Sequence, residues 1–429
     1  MNFKFFKKLV PSFLYNWYHF TLSLLGALLY FFPGRQIKVI GITGTNGKST
    51  VTHLATELLI AAGYKVASVS SIRFMIGDRD WPNTLKMTMP GRWKLQKFLR
   101  QAVDAGCQYV VLEVTSEGIK QHRHRFINLN TAVFTNLAPE HIESHGGFKK
   151  YREAKGKLFA ATKKYHILNL DDENVDYFLR FPAQHKLLYT TRSQEQPREG
   201  ELIEGKEAKE WFSGISFKVD NVDFNLQLMG RFNIYNALAV ICIARSQGID
   251  LKICKKVLEK AIGVPGRMEI VRGNPFAVIV DYAHTPDSLE KVYQSIKNFK
   301  SPAAKMICVL GSAGGGRDKW KRPEMGKIAA RFCDKIVLAD EDPYDEDPEQ
   351  ILDEVEAGIM NSHFPIIDLK RVLDRKKALK TAMGLATAGD VVIITGKGCE
   401  PWMCVANGEK IPWDDREFAK TAYNSLTDQ

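Results

Sequence analysis

Gly41-Ile-Thr-Gly44-Thr-Asn-Gly47-Lys48-Ser49-Thr50 stands between an apolar run, Ile37-Lys-Val-Ile-Gly-Ile-Thr43, and a stretch from Lys48 to Ala62 that ends at Gly63. The run reads as a buried strand and the stretch as a helix, so the glycine-rich segment is the turn between them. Glycines let such a turn curl its backbone N–H groups around phosphate oxygens, and the helix N-terminus adds its dipole. Gly44, Thr45, Asn46, Gly47, Lys48, Ser49 and Thr50 are therefore the expected nucleotide cradle, with Lys48 reaching the terminal phosphates and Ser49 ligating Mg²⁺. The strict pattern GxxxxGK[ST] would want glycine at Ile42; the tighter Gly-Thr-Asn-Gly-Lys-Ser stands here instead.

Outward from this loop the chain alternates strand and helix. Lys65 to Ser70, Tyr109 to Val114, Thr131 to Thr135 and His166 to Leu170 read as further strands. Such alternation predicts an α/β fold with a mainly parallel sheet covered on both faces and ligands at the carboxyl ends of the strands. Thr190 to Asp223 is more polar and predicts short antiparallel strands before a helix from Asn233 to Gln247. After Gly263-Val-Pro-Gly266 a second cycle begins. Its strands fall at Phe276–Asp281, Lys305–Leu310, Lys335–Asp340, Ile366–Leu369 and Asp390–Thr395, with helices near Pro286–Asn298, Pro323–Phe332, Pro348–Met360 and Arg375–Met383. The expected organisation is an N-terminal segment (1–36), a P-loop central ATPase domain (37–264) and a Rossmann-like α/β C-terminal domain (265–429).

The length of 429 residues, at roughly 150 per domain, excludes a single small module. Lys and Arg exceed Asp and Glu by 60 to 49, a net +11, which attracts anions without choosing among nucleotides, sugar phosphates, anionic lipids and nucleic acid. The seven cysteines are scattered, with no CxxC pair, so neither a zinc ribbon nor a disulfide scaffold is indicated and a reducing cytoplasm is expected.

The first 38 residues hold Lys4, Lys7, Lys8, Arg35 and Lys38 but no Asp or Glu, around a largely apolar, aromatic stretch from Leu9 to Phe32. A cleaved signal peptide does not fit, because no small-residue cleavage site precedes the next strand. A spanning helix fits by length, but Pro11, Ser12, Asn16, His19, Thr21 and Ser23 dilute it. An interfacial helix, or one docked on the next domain through Tyr15, Tyr18, Leu22, Leu25 and Leu29, fits better.

A second chemical cluster follows the loop. Glu113 ends a strand in Glu-Val-Thr-Ser116, His141 and His145 lie in Pro-Glu-His-Ile-Glu-Ser-His, and Lys155 is expected to start a helix in Tyr-Arg-Glu-Ala-Lys155. Carboxylate, imidazole and hydroxyl groups near a phosphate loop suit one or two Mg²⁺ ions. Taken singly, each such residue is more often solvated or structural.

Nine motifs stand in the order seen in one family: GITGTNGKST, EVTSEG, FTNLAPEHIESHG, YREAKGKLF, LMGRFNIYNALA, PGRMEIV, DYAHTPDSLE, GSAGGGRDKWKRPEMG and GKGCE. The chain resembles the Mur ligase family over residues 37 to 429, and within it the UDP-N-acetylmuramoyl-tripeptide synthetase branch. The resemblance implies an ATP-dependent amide ligase of peptidoglycan biosynthesis, in which phosphorylation of a muramyl-peptide carboxylate makes an acyl phosphate that a free amino acid attacks. It implies that Lys48 holds the β/γ-phosphates, Ser49 and Glu113 one Mg²⁺ and His141 a second, with Lys48, His141 and Lys155 the catalytic group. Lys155 matches a family lysine that is carbamylated into an anionic metal ligand.

Asn233 and Asn236 match the segment near the nucleotide base, although helix capping is an equal reading of Asn233. Arg267, Asp281 and His284 match C-terminal groups that close over ATP, which makes Gly263–Gly266 the expected hinge. Thr88 and Ser116 match acceptor contacts, and Arg317, Lys319, Asp342, Tyr344 and Glu400 fall in the amino-acid segments. Departures are Glu117 and Cys399 where the family commonly has histidine, and Glu341-Asp-Pro-Tyr344 where it has Asp-Asn-Pro-Arg. The acidic run Glu341 to Asp347 predicts a basic incoming amino acid, with Asp347 as a simple helix cap the plainer reading. Members usually carry about a hundred residues that grip the uridine diphosphate before the loop domain, a size ordinary for a domain. The 36 residues here shift expectation towards a lipid-linked or otherwise altered acceptor. A cytoplasmic enzyme is expected, at the inner membrane face if residues 1–34 make peripheral membrane contact, with no nucleic-acid partner. Alternatives are another amide ligase of this fold, of folylpolyglutamate or stem-peptide-modifying type, and a non-catalytic nucleotide-binding subunit.

Overall fold

Alternate residues of β1 (Lys38–Thr43) point to opposite faces of a sheet, and both faces are covered: every residue but Lys38 is buried. In the computed structural model, which describes residues 12–85, 87–193, 199–364 and 368–427, β1 is joined by β2 (Val66–Val69), β3 (Arg73–Ile76), β4 (Arg79–Pro82), β5 (Tyr109–Glu113), β6 (Leu129–Phe134), β7 (Tyr165–Asn169), β8 (His185–Thr190) and β9 (Glu201–Glu204). The order is β4-β3-β2-β5-β1-β6-β7-β8-β9, parallel except at one edge, where β3 runs antiparallel to both β2 and β4. Ile40 and Ile42 pack with the helices Lys48–Ala61 and Phe232–Ser246 on one face, while Val39 packs with Arg92–Asp104 and Phe148–Ala161 on the other. The polar excursion forms an antiparallel sheet of β10 (Lys206–Trp211), β11 (Gly214–Val219) and β12 (Val222–Leu226), whose Phe217 and Phe224 stack beneath the same core.

The second sheet takes β13 (Glu269–Arg272), β14 (Ala277–Asp281), β15 (Met306–Leu310), β16 (Lys335–Leu338), β17 (Asp368–Arg371) and β18 (Val391–Thr395) in the order β13-β14-β18-β15-β16-β17, parallel except at β13. The strand expected at 366–369 is seen from Asp368; residues 366 and 367 lie outside the described residues. A small ribbon, β19 (Trp402–Cys404) with β20 (Lys410–Pro412), follows. Lys155 does not start a helix as expected. Gly147, at φ 118°, is the N-cap, so Lys155 lies at mid-helix in Phe148–Ala161, which turns it inward.

The helix Ser12–Leu29 docks on Arg92–Asp104, but not through the side chains expected. Tyr15, Tyr18, Leu25 and Leu29 face outward and Leu22 is half-buried, whereas His19, Ser23, Gly26 and Ala27 face the protein. Small residues explain the choice. A Cβ on Gly26 would sit 3.4 Å from the Trp93 Cα, and larger side chains would hold the helix away. Among the described residues no helix is long and apolar enough to cross a membrane.

In the turn after Ser116–Lys120, His124 is 3% exposed, and burial, aided by the charge of Arg125, pushes its imidazole down to about 3. An unfolded histidine titrates near 6.5, so between these values only the unfolded chain gains the proton. Stability is full above about pH 6.5 and falls as pH drops, by up to about 1.4 kcal/mol per pH unit from this group. Urea midpoints measured from pH 7.5 to 5 should decline, and His124→Leu should flatten the decline; equal slopes would contradict the assignment.

Candidate active site

The carboxyl ends of both parallel sheets open on one cleft of about 1370 Å³. The loop after β1 forms its floor. Gly44 and Gly47 have φ of 154° and 82°, and a Cβ on either would strike Thr135 or Asn236, so only glycine lets the loop lie this close. Thr45 N donates to Asn136 O (2.9 Å), Asn46 N to Asn136 Oδ1 (2.9 Å), and Thr135 Oγ1 to Asn46 O (2.7 Å). The cradle is thus held from the ends of β6 before any nucleotide arrives.

Lys48 Nζ donates back to Thr45 O (2.7 Å). Ser49 Oγ lies 2.8 Å from Ser71 Oγ, and Ser71 donates to Glu113 through its N–H (2.9 Å) and its hydroxyl (3.2 Å). Glu113 is buried at the end of β5, as its position in the sequence implied. Mg²⁺ prefers oxygen ligands and is commonly held by one or two carboxylates together with substrate phosphates. The Ser49 hydroxyl and Glu113 carboxylate fit that need, and among the described residues no group of three or more His, Cys, Asp or Glu side chains could hold a metal ion unaided.

Lys155 is 1% exposed, and its Nζ donates to Gly44 O (2.7 Å) over the Tyr151 ring. Burial, and after it the charge of Lys48, pushes its ammonium well below the ordinary range. His141, at φ 55°, precedes the short helix Ile142–His145. Beside it is Glu140, which the sequence reading passed over although it adjoins His141 in the quoted motif. Glu140 lies 3.8 Å from His141 Nε2 and 3.4 Å from His284 Nε2 on the opposite domain. Burial pushes the Glu140 carboxyl up, but the His284 hydrogen bond and the charges of His141, His284 and Lys48 outweigh it and hold it well below the usual carboxylate range.

Further links join the two walls of the cleft. Asn46 Nδ2 donates to Asp287 (2.8 Å), and the Asp318 carboxylate accepts from Ile142 N (3.0 Å) and Glu143 N (3.1 Å). Lys319 N donates to Glu143 (3.0 Å).

Gly44 to Thr50, Thr88, Glu113, Ser116, His141, Lys155, Asn233, Asn236, Arg267, Asp281, His284, Arg317, Asp342, Tyr344 and Glu400 all line this cleft; Lys319 does not. Its side chain is half-exposed and pairs with Glu346 at 3.3 Å, because only its backbone turns towards the central domain. Asn233 is not a cap. Its Nδ2 donates to Met229 O (2.6 Å) and its Oδ1 accepts from Asn236 (2.8 Å), while Arg231 holds the N-cap position with no side-chain cap bond. Both Asp281 oxygens accept backbone N–H groups, from Met268 (2.7 Å) and Ala283 (2.6 Å), so this side chain also braces the turn that follows Gly263–Gly266.

Two acids of the run after β16 are paired with cations and two accept backbone N–H groups. Asp342 pairs with Lys397 (2.7 Å), Glu346 with Arg322 (2.9 Å), and Asp345 accepts from Asn407 N (2.9 Å). Asp347 caps Pro348–Met360. The pairing of Asp342 and Glu346 lowers the charge this run has left for selecting a basic amino acid. Lys397, passed over in GKGCE, is buried between Asp342 and Glu400 (2.6 Å), and Tyr282 donates to Glu400 as well (2.9 Å). Glu117 and Cys399 line the cleft too.

Residues 42–244 match the Mur ligase middle domain, and residues 266–398 the Mur ligase, glutamate ligase domain. A UDP-N-acetylmuramoyl-L-alanyl-D-glutamate–2,6-diaminopimelate ligase of Caldanaerobacter subterraneus is 36% identical over 406 residues, covering 93% of this chain and 81% of that protein. A UDP-N-acetylmuramyl-tripeptide synthetase of Roseiflexus is 34% identical over 95% of this chain and 82% of its own length. A solved structure of a UDP-N-acetylmuramoyl-L-alanyl-D-glutamate–2,6-diaminopimelate ligase superimposes with a TM-score of 0.60 at 30% identity, over 91% of this chain and 79% of that one.

Proposed function

The chain belongs to the Mur ligase family of ATP-dependent amide ligases, and on that premise we propose that it joins an amino acid to the carboxylate of a muramyl peptide through an acyl phosphate. A central ATP-binding domain (37–264) and a C-terminal domain (265–429) hold the substrates between them, and residues 1–34 give the enzyme a peripheral contact at the inner membrane face. What supports the reading most is a single cleft lined at once by the loop Gly44–Thr50 and by Arg317 and Glu400 of the other domain.

In this reading Lys48 leaves Thr45 O for the β/γ-phosphates, and the backbone N–H groups of the loop hold their oxygens. Mg²⁺, at Ser49 and Glu113 and at His141 and a carbamylated Lys155, supplies charge neutralisation where carboxylate meets triphosphate. Thr88 and Ser116 position the acceptor. One acceptor carboxylate oxygen bonds to the γ-phosphorus as ADP leaves; the amine nitrogen then bonds to the acyl carbon, and phosphate leaves with that oxygen and takes up the proton the nitrogen gives up. Arg317 suits the carboxylate of the incoming amino acid. Glu140 and His284, with the Asn46–Asp287 and Asp318 contacts, hold the walls together and keep water from the acyl phosphate.

ADP release should require acceptor and amino acid together. A panel pairing nucleotide-linked and lipid-linked muramyl dipeptides with diaminopimelate, lysine, ornithine and glutamate tests this. ADP release that ignores both additions would overturn the reading.

A further inference from the structure

The helix Ser12–Leu29 is amphipathic in the reverse of the usual sense. Its polar side chains His19 and Ser23 are 4% and 2% exposed against the protein, while Leu14, Trp17, Tyr18, Leu25, Leu28 and Leu29 stand 45%, 66%, 52%, 47%, 50% and 51% exposed. Eighteen residues make a cylinder about 27 Å long, and its outer face carries no charge along that length. Contiguous apolar surface of this kind marks an interaction site. Tyrosine and tryptophan on it suit the boundary between headgroups and acyl chains.

The surroundings decide the partner. No acidic residue precedes Glu57, whereas Lys4, Lys7 and Lys8 come before the helix and Arg35 and Lys38 after it. The neighbouring helix Arg92–Asp104 adds the exposed Lys94 and Lys97 and the half-buried Arg92, while Arg100 pairs with Asp104 (2.8 Å). A second copy pressed against this face would bring two cationic collars together, but an anionic lipid surface complements both the apolar strip and the collar.

The inner face of the helix reaches the acceptor end of the cleft. His122 Nε2 lies 2.5 Å from Asn16 Oδ1, and Ser23 Oγ donates to His122 O (3.0 Å). The next residue, Arg123, donates to Met89 O and, through Nη2, to Gln121 Oε1 (2.7 Å), which also accepts from Arg92 (3.2 Å). Met87 and Thr88 line the cleft itself. His122, Arg123 and Met89 therefore link the helix to the edge of the cleft at Thr88.

We propose that this helix lies flat in the headgroup region of an anionic bilayer and that the cleft takes its acceptor from a lipid-anchored muramyl peptide; the second half rests on the ligase reading above. An interfacial helix buries its apolar side about 5–10 Å into the headgroup boundary, which would set the pocket mouth at the membrane surface.

The test uses the full chain and vesicles of phosphatidylglycerol with phosphatidylcholine. The protein should float with them at low salt, float less at high salt, and fail to float with phosphatidylcholine alone. The triple variant Trp17→Glu, Leu25→Glu, Leu28→Glu changes only outward side chains and should stay folded but not float. Absence of flotation, flotation unchanged in the variant, or a concentration-dependent dimer without lipid binding would overturn the docking.

Vesicles carrying a muramyl dipeptide joined through its sugar diphosphate to a lipid should be turned over at least about tenfold faster than the nucleotide-linked dipeptide, through raised local concentration. The variant should lose that advantage and keep its rate on the soluble acceptor. Flotation with no such advantage would overturn the acceptor assignment. Flotation with no amide formed from either acceptor would overturn the ligase reading and leave the docking standing.

Discussion

Lys155→Ala is expected to lower amide formation on the order of 10³-fold, the scale of losing a preorganised charge at the centre of a reaction. Its Nζ is buried against Gly44 O in the nucleotide loop and near Lys48, the charge that, after burial, presses most on its ammonium. An amine without its proton is the form that adds CO₂, and a carbamate at that atom would replace a repelled cation by an oxygen anion beside Glu113 and His141. Alanine would remove that anion and leave a space that a small carboxylate can enter. Formate or acetate at high concentration should therefore restore part of the rate, a recovery that a merely structural lysine would not show. Nucleotide binding and thermal midpoint, followed in parallel, separate lost chemistry from lost packing. Full activity in Lys155→Ala would contradict the assignment.

Asp415→Ala is expected to destabilise the C-terminal domain by about 3–5 kcal/mol, the cost of leaving one partner of a buried pair uncompensated. The Arg375 and Asp415 side chains are both fully buried and meet through two bonds, 2.9 Å and 2.7 Å. Arg375 also donates to Thr395 O (2.7 Å), and Trp413 Nε1 to Asp415 (2.9 Å), so one cluster ties the last helix, Asp415–Thr427, to the end of β18. Asp415→Ala strands a guanidinium with carbonyls alone. The double change Arg375→Met, Asp415→Leu removes both charges and should be milder than the single one. Urea unfolding followed by tryptophan fluorescence measures both; a single variant within about 0.5 kcal/mol of the parent, the range of ordinary surface substitutions, would show the pair to be dispensable.

The strands and the nucleotide loop were legible because apolar runs buried on both faces and a glycine turn between strand and helix are local patterns. The β3–β4 hairpin and β13 were harder to see, since they are short strands at sheet edges, where burial writes a weaker alternation. The docking face of the first helix was misread for a physical reason. Apolar residues there mark the outside, and Gly26 and Ala27 mark the contact, so the usual equation of apolar with inward failed. Glu140 and Lys397 matter through partners 144 and 55 residues away, His284 and Asp342, and a charge pairing between segments so distant in sequence leaves no periodic trace. The acidic run shows the converse: its charges were legible, but Lys397 and Arg322, the cations paired with Asp342 and Glu346, were not visible as their partners.

The central claim is that the cleft activates a carboxylate as its acyl phosphate. An acceptor labelled with ¹⁸O in that carboxylate, incubated with ATP, Mg²⁺ and the amino acid, tests it directly by mass spectrometry of the phosphate released. Each inorganic phosphate should carry one labelled oxygen, with ADP formed alongside it. Unlabelled phosphate alongside amide product, or label appearing in AMP, would contradict it.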